Sequence, residues 1–206
     1  MKKKLCALIL AMACVCSLGT TGASAAGMDE QEGYSTTVIS GEDAIQAYLE
    51  EVGEPYDPNL VEVIRVEYER NIENTPTPAF ISREYERRNE KTRKYTDFTD
   101  TVAEYLRPAG RVSVDEMVSI SHSFSATGGV NAEVLEATFG FDVTASKEFN
   151  VSWEQTYSYP IRLTVYPRYK EYTGEIWDKD IQFDDKVGTY EVLEAIGDDI
   201  RVYRQY

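Results

Sequence analysis

The 206-residue sequence contains only three cysteines and one histidine, and both shortages exclude familiar chemistry. The cysteines are Cys6, Cys14 and Cys16, so residues 17–206 can form no disulfide among themselves. Cysteine catalysis is excluded there. A zinc site of the usual Cys and His ligands is excluded as well, because a single histidine cannot supply three ligands. This part of the chain must therefore be stabilised by burial and hydrogen bonding alone.

Residues 1–26 have the pattern of an export signal. Three lysines at residues 2–4 precede the apolar stretch 5–18, which is too short for a stable membrane anchor. The small residues 23–25, Ala-Ser-Ala, fit the cleavage pattern of such signals. We therefore expect a secreted, extracellular protein. Association with the cell wall after export is an alternative. A processed chain without cysteine favours a Gram-positive bacterium.

The chain is strongly acidic. Its 21 basic residues are outnumbered by 36 acidic ones, and the predicted signal holds three lysines and no acid, which leaves 18 against 36 (21 − 3 = 18). Such a surface repels phosphate, so nucleic acid is not an expected partner. Apolar residues make up 42% of the sequence, enough to build a core and to argue against a disordered acidic chain.

The apolar periodicity predicts a mainly β fold, either an antiparallel sandwich or an elongated twisted sheet, with a short N-terminal helix. Residues 41–52 have apolar side chains every three or four positions and are followed by Gly53, as at a helix C-terminus. Residues 60–68 alternate as a strand does. Residues 27–40, polar and small, are interpreted as a loose leader.

The middle of the chain is predicted to connect two parts. Residues 75–78, Thr-Pro-Thr-Pro, favour an extended linker. Residues 82–94 are densely charged, and Glu84/Arg88 and Glu90/Lys94 stand four apart, which favours a solvated helix. A basic docking site for an acidic partner is the alternative for this segment.

From residue 112 onward the period changes to two. Apolar residues and His122 alternate with serines along 118–125, and residues 149–153 and 161–166 alternate in the same way. Residues 128–129 are a glycine turn, residues 130–138 suit a short helix, and residues 139–144 are strand-like. Pro167 predicts that its strand lies at an edge, ends or bulges. Short strands are further expected at 172–177, 189–193 and 200–203.

These patterns divide the chain into four segments. They are a signal peptide (1–26), a leader with a small helix and strand (27–78), a charged connecting segment (79–111) and a β-rich domain (112–206).

Two motifs in the C-terminal half carry a resemblance. Residues 139–146 read FGFDVTAS and residues 165–169 read VYPRY. The chain resembles a group of uncharacterised small secreted β-rich proteins of Gram-positive bacteria that share an FGFxVTxS … VYPxY frame. The resemblance implies secretion and a strand-rich fold. That group has no established activity, so no functional residues are transferred from it.

Few residues are candidates for catalysis or metal binding. His122 occupies one of the alternate positions that are otherwise apolar in its strand, and it is interpreted as structural. Its neighbour Ser123 faces the opposite way, so the two cannot form a catalytic pair. No catalytic residue and no cofactor is predicted. An acidic cluster near residue 180 is a candidate calcium site, or else a solvated turn; its members are Asp178, Asp180, Asp184 and Asp185.

Aromatic residues crowd the same region and are candidates for ligand contact. Tyrosine offers a flat apolar face and a polar tip, which suits carbohydrate or peptide. The candidate ligand-binding residues are Tyr166, Tyr169, Tyr172 and Trp177. Cross-strand aromatic packing is the other interpretation.

We therefore predict a secreted or envelope-associated, non-enzymatic binding or structural protein whose partner is a cell-wall glycan or another protein. A pore-forming protein is the first alternative, because a strand with one hydroxyl face and one apolar face suits a channel wall. A carboxylate-based extracellular hydrolase is the second. The sequence leaves the ligand and the oligomeric state open.

Overall fold

The computed structural model describes residues 33–69, 84–179 and 184–206 and consists mainly of antiparallel β-strands. The predicted mainly β fold with a short N-terminal helix is confirmed. The predicted signal, the linker at 75–78 and Asp180 lie outside the described residues. Residues 31–206 form one compact unit.

The described residues form nine strands and two helices. In chain order they are β1 (Gly33–Ser40), α1 (Glu42–Val52), β2 (Leu60–Glu69), β3 (Glu84–Thr96), β4 (Ala103–Arg107), β5 (Gly110–Ser121), β6 (Ser123–Ala126), α2 (Ala132–Phe139), β7 (Ser146–Tyr157), β8 (Ile161–Lys179) and β9 (Asp184–Arg204).

Two long antiparallel strands, β8 and β9, form the centre of the larger sheet. Along its outer side, β8 pairs first with β4 and then with β3. In the same way, β9 pairs along its outer side first with β6 and then with β2. Strand β1 lies outside β2, so the main order is β1-β2-β9-β8-β3. Segments from before and after residue 112 therefore share one sheet.

The smaller sheet, β5 with β7, packs on one face of the larger one. Alternate residues of β5 and β7 face inward, as the period of two predicts, and contact alternate residues of β2, β8 and β9. The fully buried members of this core include Phe149, Ile161, Leu163, Val165 and Val202. The arrangement is a sandwich whose core is filled by β-branched and aromatic side chains.

Helix α1 packs through an apolar stripe. Ile45, Tyr48 and Leu49 recur at three and four positions and are buried against Leu60 and Val63. The helix ends at Gly53, whose left-handed backbone (φ 75°) lets its N–H return to the last carbonyls. The prediction of this helix at 41–52 is confirmed.

Helix α2 covers a second core at the far half of β8 and β9. The Asn131 side chain accepts a hydrogen bond from the Val134 N–H at 3.0 Å and caps the helix. Leu135 is fully buried against Tyr172, Ile176 and other residues of the two long strands. This packing fixes α2 beside β3, where the candidate site described next lies.

Two predictions for the N-terminal half are wrong. The end of the predicted leader is strand β1, which pairs with β2 over its whole length; its Thr36, Thr37, Val38 and Ile39 are β-branched. The segment predicted as a charged helix is strand β3, paired with β8. Its charges find partners across the sheet, such as Arg93 with Glu171, rather than four residues along the chain.

Two features of the C-terminal half also differ from prediction. Residues 140–145 form no strand, because Gly140 ends α2 in a left-handed conformation and the Asp142 side chain accepts from the Thr144 N–H in a turn. The predicted short strands after residue 160 are parts of β8 and β9. Pro167 lies inside β8, in the gap between the residues that pair with β4 (up to Val165) and those that pair with β3 (from Arg168), so a local edge is the outcome among the predicted alternatives. The nearby register shift leaves its extra residue in β9, not in β8.

His122 marks the point where the chain leaves one sheet for the other. It stands between β5, in the small sheet, and β6, which pairs with β9 in the large one. Its ring is buried, and Nδ1 accepts a hydrogen bond from the Ala195 N–H at 2.9 Å. This burial and this hydrogen bond agree with the interpretation of His122 as a structural histidine.

Candidate functional site

An open groove of about 390 Å³ lies between β3 and α2. It is lined by Tyr85, Glu86, Arg87 and Glu90 from the strand and by Ala137 and Thr138 from the helix. We call this the α2–β3 groove. Its volume is at the small end of the range for ligand sites.

A bulge in β3 shapes one wall of the groove. Asn89 has a left-handed backbone (φ 54°), and the register against β8 shifts between Arg88 and Lys91. The Asn89 side chain holds this conformation by donating to Glu175 at 2.8 Å. Bulges of this kind redirect side chains and recur beside functional sites. Here the bulge contains Glu90, whose carboxylate lies at the groove.

The Glu90 carboxylate is held by two donors. Arg87 donates to its Oε2 at 2.9 Å, and the Tyr190 hydroxyl donates to the same oxygen at 2.8 Å. Burial, and then this hydrogen bond to Glu90, raise the pKa of Tyr190, so the hydroxyl keeps its proton and remains a donor.

Gly174 makes the contact between Tyr190 and Glu90 possible. Gly174 on β8 pairs with Tyr190 on β9, and the tyrosine crosses it to reach β3. A Cβ at Gly174 would lie 2.7 Å from the Tyr190 hydroxyl oxygen and 3.0 Å from the Arg88 carbonyl oxygen. Only glycine leaves room for this crossing.

An aromatic cluster supports the groove from below. The Arg87 guanidinium carbon lies 4.3 Å from the centre of the Phe139 ring. Phe139 in turn makes edge-to-face contacts with Tyr172, at 5.1 Å between ring centres, and with Tyr190, at 5.4 Å. A guanidinium stacked on an aromatic ring and bonded to a carboxylate has little freedom left. The polar groups of the groove are therefore ordered before any ligand arrives.

The chemistry of the groove suits a neutral polyhydroxyl ligand. Its walls combine an aromatic ring (Tyr85), a guanidinium (Arg87) and a carboxylate (Glu90), while the Glu86 carboxylate is bonded to Arg88 on the opposite face of the strand. Carboxylates accept from hydroxyl groups, a guanidinium donates to them, and a tyrosine ring packs against the apolar face of a sugar. Arg87 and Glu90 neutralise each other, and the acidic chain around them disfavours an anionic ligand.

The four aromatic residues predicted to bind ligand do not share a surface. Tyr172 is buried, and its hydroxyl donates to Glu194 at 2.7 Å. Tyr169 packs on Tyr95 across the strands, and Tyr166 packs edge-to-face on Phe98. The Trp177 indole donates to Glu175 at 3.1 Å.

Only Tyr172 among these four belongs to the groove, as part of its aromatic support. Trp177 pairs with Glu86, whereas its neighbour Ile176 pairs with Arg87 and lies in the core under α2. Because successive residues of a strand face opposite ways, Trp177 and the Arg87 side chain lie on different faces.

The predicted calcium ligands stand near the end of the long hairpin. Asp178 and Asp185 are opposite each other in register, and Arg88 donates to the Asp184 carboxylate. Within residues 33–69, 84–179 and 184–206, no group of three carboxylate, histidine or cysteine side chains is arranged to hold a metal ion. With Asp180 outside these ranges, the calcium site stays a prediction.

A second polar cluster is buried beneath α1. The Asp199 carboxylate accepts from Arg65 at 3.0 Å, from Thr96 at 2.7 Å and from Tyr48 at 3.3 Å. Arg168 donates to Thr96 at 2.8 Å. Asp199 is fully buried. Because its acceptors and donors face each other, we assign this cluster a role in fixing α1 on the sheet.

The groove could not be located from the sequence, because its walls are more than 40 residues apart in the chain. The sequence pattern predicted a charged helix for the segment that contains Arg87 and Glu90, and a short separate strand for the segment that contains Tyr190. One local signal was available: Gly174, a glycine inside a predicted strand, indicates a bulge or a close approach of another group.

Comparisons with known proteins returned no match, either among protein-family models or among curated proteins or solved structures. In the described part of the chain, no helix is both long and apolar enough to cross a membrane.

Proposed function

We propose that this is an exported, non-enzymatic binding protein that attaches to a cell-wall glycan through the α2–β3 groove. The observation that supports the proposal most is the ordered pair of Arg87 and Glu90. These side chains are fixed by Phe139 and Tyr190 beside an open volume rather than inside the core. Polar groups ordered in advance reduce the entropy lost when a ligand binds.

Export is the second part of the proposal and depends on the signal pattern of residues 1–26. A protein released from a Gram-positive cell meets the wall polysaccharides first. A neutral or amino-bearing glycan suits a groove whose two charged side chains, Arg87 and Glu90, pair with each other, and it avoids the repulsion that an anionic polymer would meet from the acidic chain.

A pair of tryptophan variants on α2 tests the groove. Ala137 lines it, while Glu133 is exposed on the same helix and does not. Ala137→Trp fills the groove, and Glu133→Trp adds the same bulk elsewhere. The measurement is co-sedimentation of the chain with purified, protein-free Gram-positive cell walls over a range of wall concentrations.

We expect the wild type and Glu133→Trp to be retained alike, and Ala137→Trp to bind at least tenfold more weakly with an unchanged melting temperature. Equal retention of both variants would refute the groove as the site. Binding to crude but not to protein-free walls would point to a protein partner instead. Cleavage of the glycan that Glu90→Gln abolishes would support the hydrolase alternative.

Pore formation is the second candidate, and one observation favours it. Strands β5 and β7 each have 12 residues, enough to cross a bilayer, and Ser119 and Ser121 of β5 and Ser146 of β7 are exposed. Against it, the inward face includes Lys147, whose amine lies 3.0 Å from the centre of the Tyr68 ring. Dye release from liposomes by the purified chain tests this candidate directly.

A further inference from the structure

Strand β1 forms one margin of the large sheet. In the part of the chain that the structure describes, β1 pairs with β2 alone, over Gly33–Ser40. Backbone N–H and C=O groups therefore point outward along its free side, and such a row is a template for another strand.

The sequence of β1 lacks the usual protection of an edge strand. GYSTTVIS contains no charged residue and no proline in eight positions. At the opposite margin, eight of the 13 residues of β3 are charged, and the bulge at Asn89 bends that strand. The small sheet also has charged residues in both strands, for example Asp115 and Glu148. Charge and bulges discourage pairing at an edge, and β1 has neither.

The charge of the chain indicates what covers this edge. Two copies, each with a formal charge of −15, repel one another, and this repulsion is weakest where an uncharged strip of one copy meets an uncharged strip of the other. Strand β1 is such a strip, and it is compatible with itself, because antiparallel pairing of two identical strands generates a two-fold axis.

The exposure of Val38 agrees with a second copy of β1 as the strand that covers this edge. Val38 is 54% exposed although it stands opposite Ile64, which is buried in the core between the sheets. An antiparallel copy of β1 would place a Ser, Thr or Val side chain beside Val38 on the same face of the enlarged sheet. Such β-branched cross-strand neighbours stabilise a sheet.

We propose that β1 pairs with β1 of a second copy, so that the two large sheets become one continuous sheet. Pairing of two eight-residue strands buries less surface than the roughly 1,200–2,000 Å² of a stable interface. The dimer is therefore weak, and its population depends on protein concentration. The inference does not rest on the proposed function. If both hold, β3 and the groove lie at the two far margins of the dimer, and wall binding gains avidity.

Sedimentation equilibrium of residues 31–206 tests the proposal. We expect a monomer–dimer equilibrium that tightens as salt rises, because salt screens repulsion between acidic copies. Val38→Lys should weaken the dimer at least tenfold. Ser119→Lys, at an exposed position of β5, is the matched control and should leave it unchanged. A monomer at all concentrations, or a dimer that survives Val38→Lys, would overturn the proposal.

Disulfide cross-linking tests the pairing by a second readout, because residues 31–206 contain no cysteine. Single cysteines are introduced in turn at Ser35, Thr36, Thr37, Val38 and Ile39. Mild oxidation should give a covalent dimer most rapidly at the position nearest the two-fold axis, where the Cα atoms come within about 4–7 Å. Cross-linking no faster than that of Ser119→Cys at every position would contradict the model of antiparallel β1 strands.

Discussion

Asp198 and Asp199 are consecutive residues of β9 whose side chains lie on opposite faces of the sheet in opposite electrostatic surroundings. Asp199 accepts hydrogen bonds from Arg65, Thr96 and Tyr48. Both oxygens of Asp198 are buried with no hydrogen-bond partner among the described residues. Asp198 stands between Val66 and Pro167, and the proline has no N–H to offer.

The unpartnered Asp198 predicts that stability falls as pH rises. Burial, and then the neighbouring Asp199 carboxylate, raise the pKa of Asp198 to about 7. The folded state therefore holds a proton that the unfolded chain, with a pKa of about 3.9, releases earlier. Stability is lost at about 1.4 kcal/mol per pH unit as pH rises from about 4 to about 7.

The measurement is urea unfolding at pH 5 and pH 8. The wild type should lose a few kcal/mol between them, whereas Asp198→Asn, which cannot ionise, should lose much less and be the more stable chain at pH 8. The same pH dependence in both chains would show that Asp198 is not the group responsible.

Asp199→Asn is predicted to act in the opposite direction. Removing this charge leaves the half-buried Arg65 and the buried Arg168 without their shared anion. Breaking a buried ion pair from one side costs about 3–5 kcal/mol. Urea unfolding should show this loss most fully at pH 5, and part of it should be offset at pH 8, because the Asp199 carboxylate no longer opposes ionisation of Asp198. A loss below about 1 kcal/mol would mean that water or side-chain movement replaces the partner.

Gly197 is predicted to tolerate no side chain. Its backbone has φ +152°, and a Cβ there would lie 1.9 Å from the Val66 carbonyl oxygen on the neighbouring strand. We expect Gly197→Ala to cost about 3 kcal/mol or more. Gly53 is the matched control, because it also has a positive φ (+75°) but no atom within 4 Å of the added Cβ.

Gly53→Ala should therefore cost only about 1 kcal/mol, from backbone strain alone. Melting temperatures of the two variants give the comparison. Equal losses would show that the close approach at Gly197 relaxes without cost.

The local parts of this fold were predictable. Helix α1 and the alternating strands β5 and β7 follow from periodicities of 3.6 and 2, which neighbouring residues determine by themselves. The end of α1 was predictable as well, because glycine readily adopts the left-handed conformation that ends a helix, and Gly53 stands at that position. Each of these elements depends on residues within about a dozen positions of one another.

Strand β3 shows why the rest was not predictable. Glu90 and Lys94 stand four apart, as on a helix, yet Lys94 donates to Glu67 and Glu90 accepts from Tyr190. Those partners are 27 and 100 residues away. Charge spacing therefore fits a helix and an edge strand equally well, and the choice is made by pairing with β8. The groove depends on the same long-range pairing, so it could not be predicted either.

The most direct test of the proposed function is to locate a glycan on the protein. The measurement is an NMR titration of ¹⁵N-labelled residues 31–206 with soluble oligosaccharides released from Gram-positive cell walls. We predict saturable shifts confined to the amides around Tyr85, Arg87, Glu90 and Thr138, and their loss in Ala137→Trp but not in Glu133→Trp. Saturable shifts centred elsewhere, or none at millimolar oligosaccharide, would contradict binding in the α2–β3 groove.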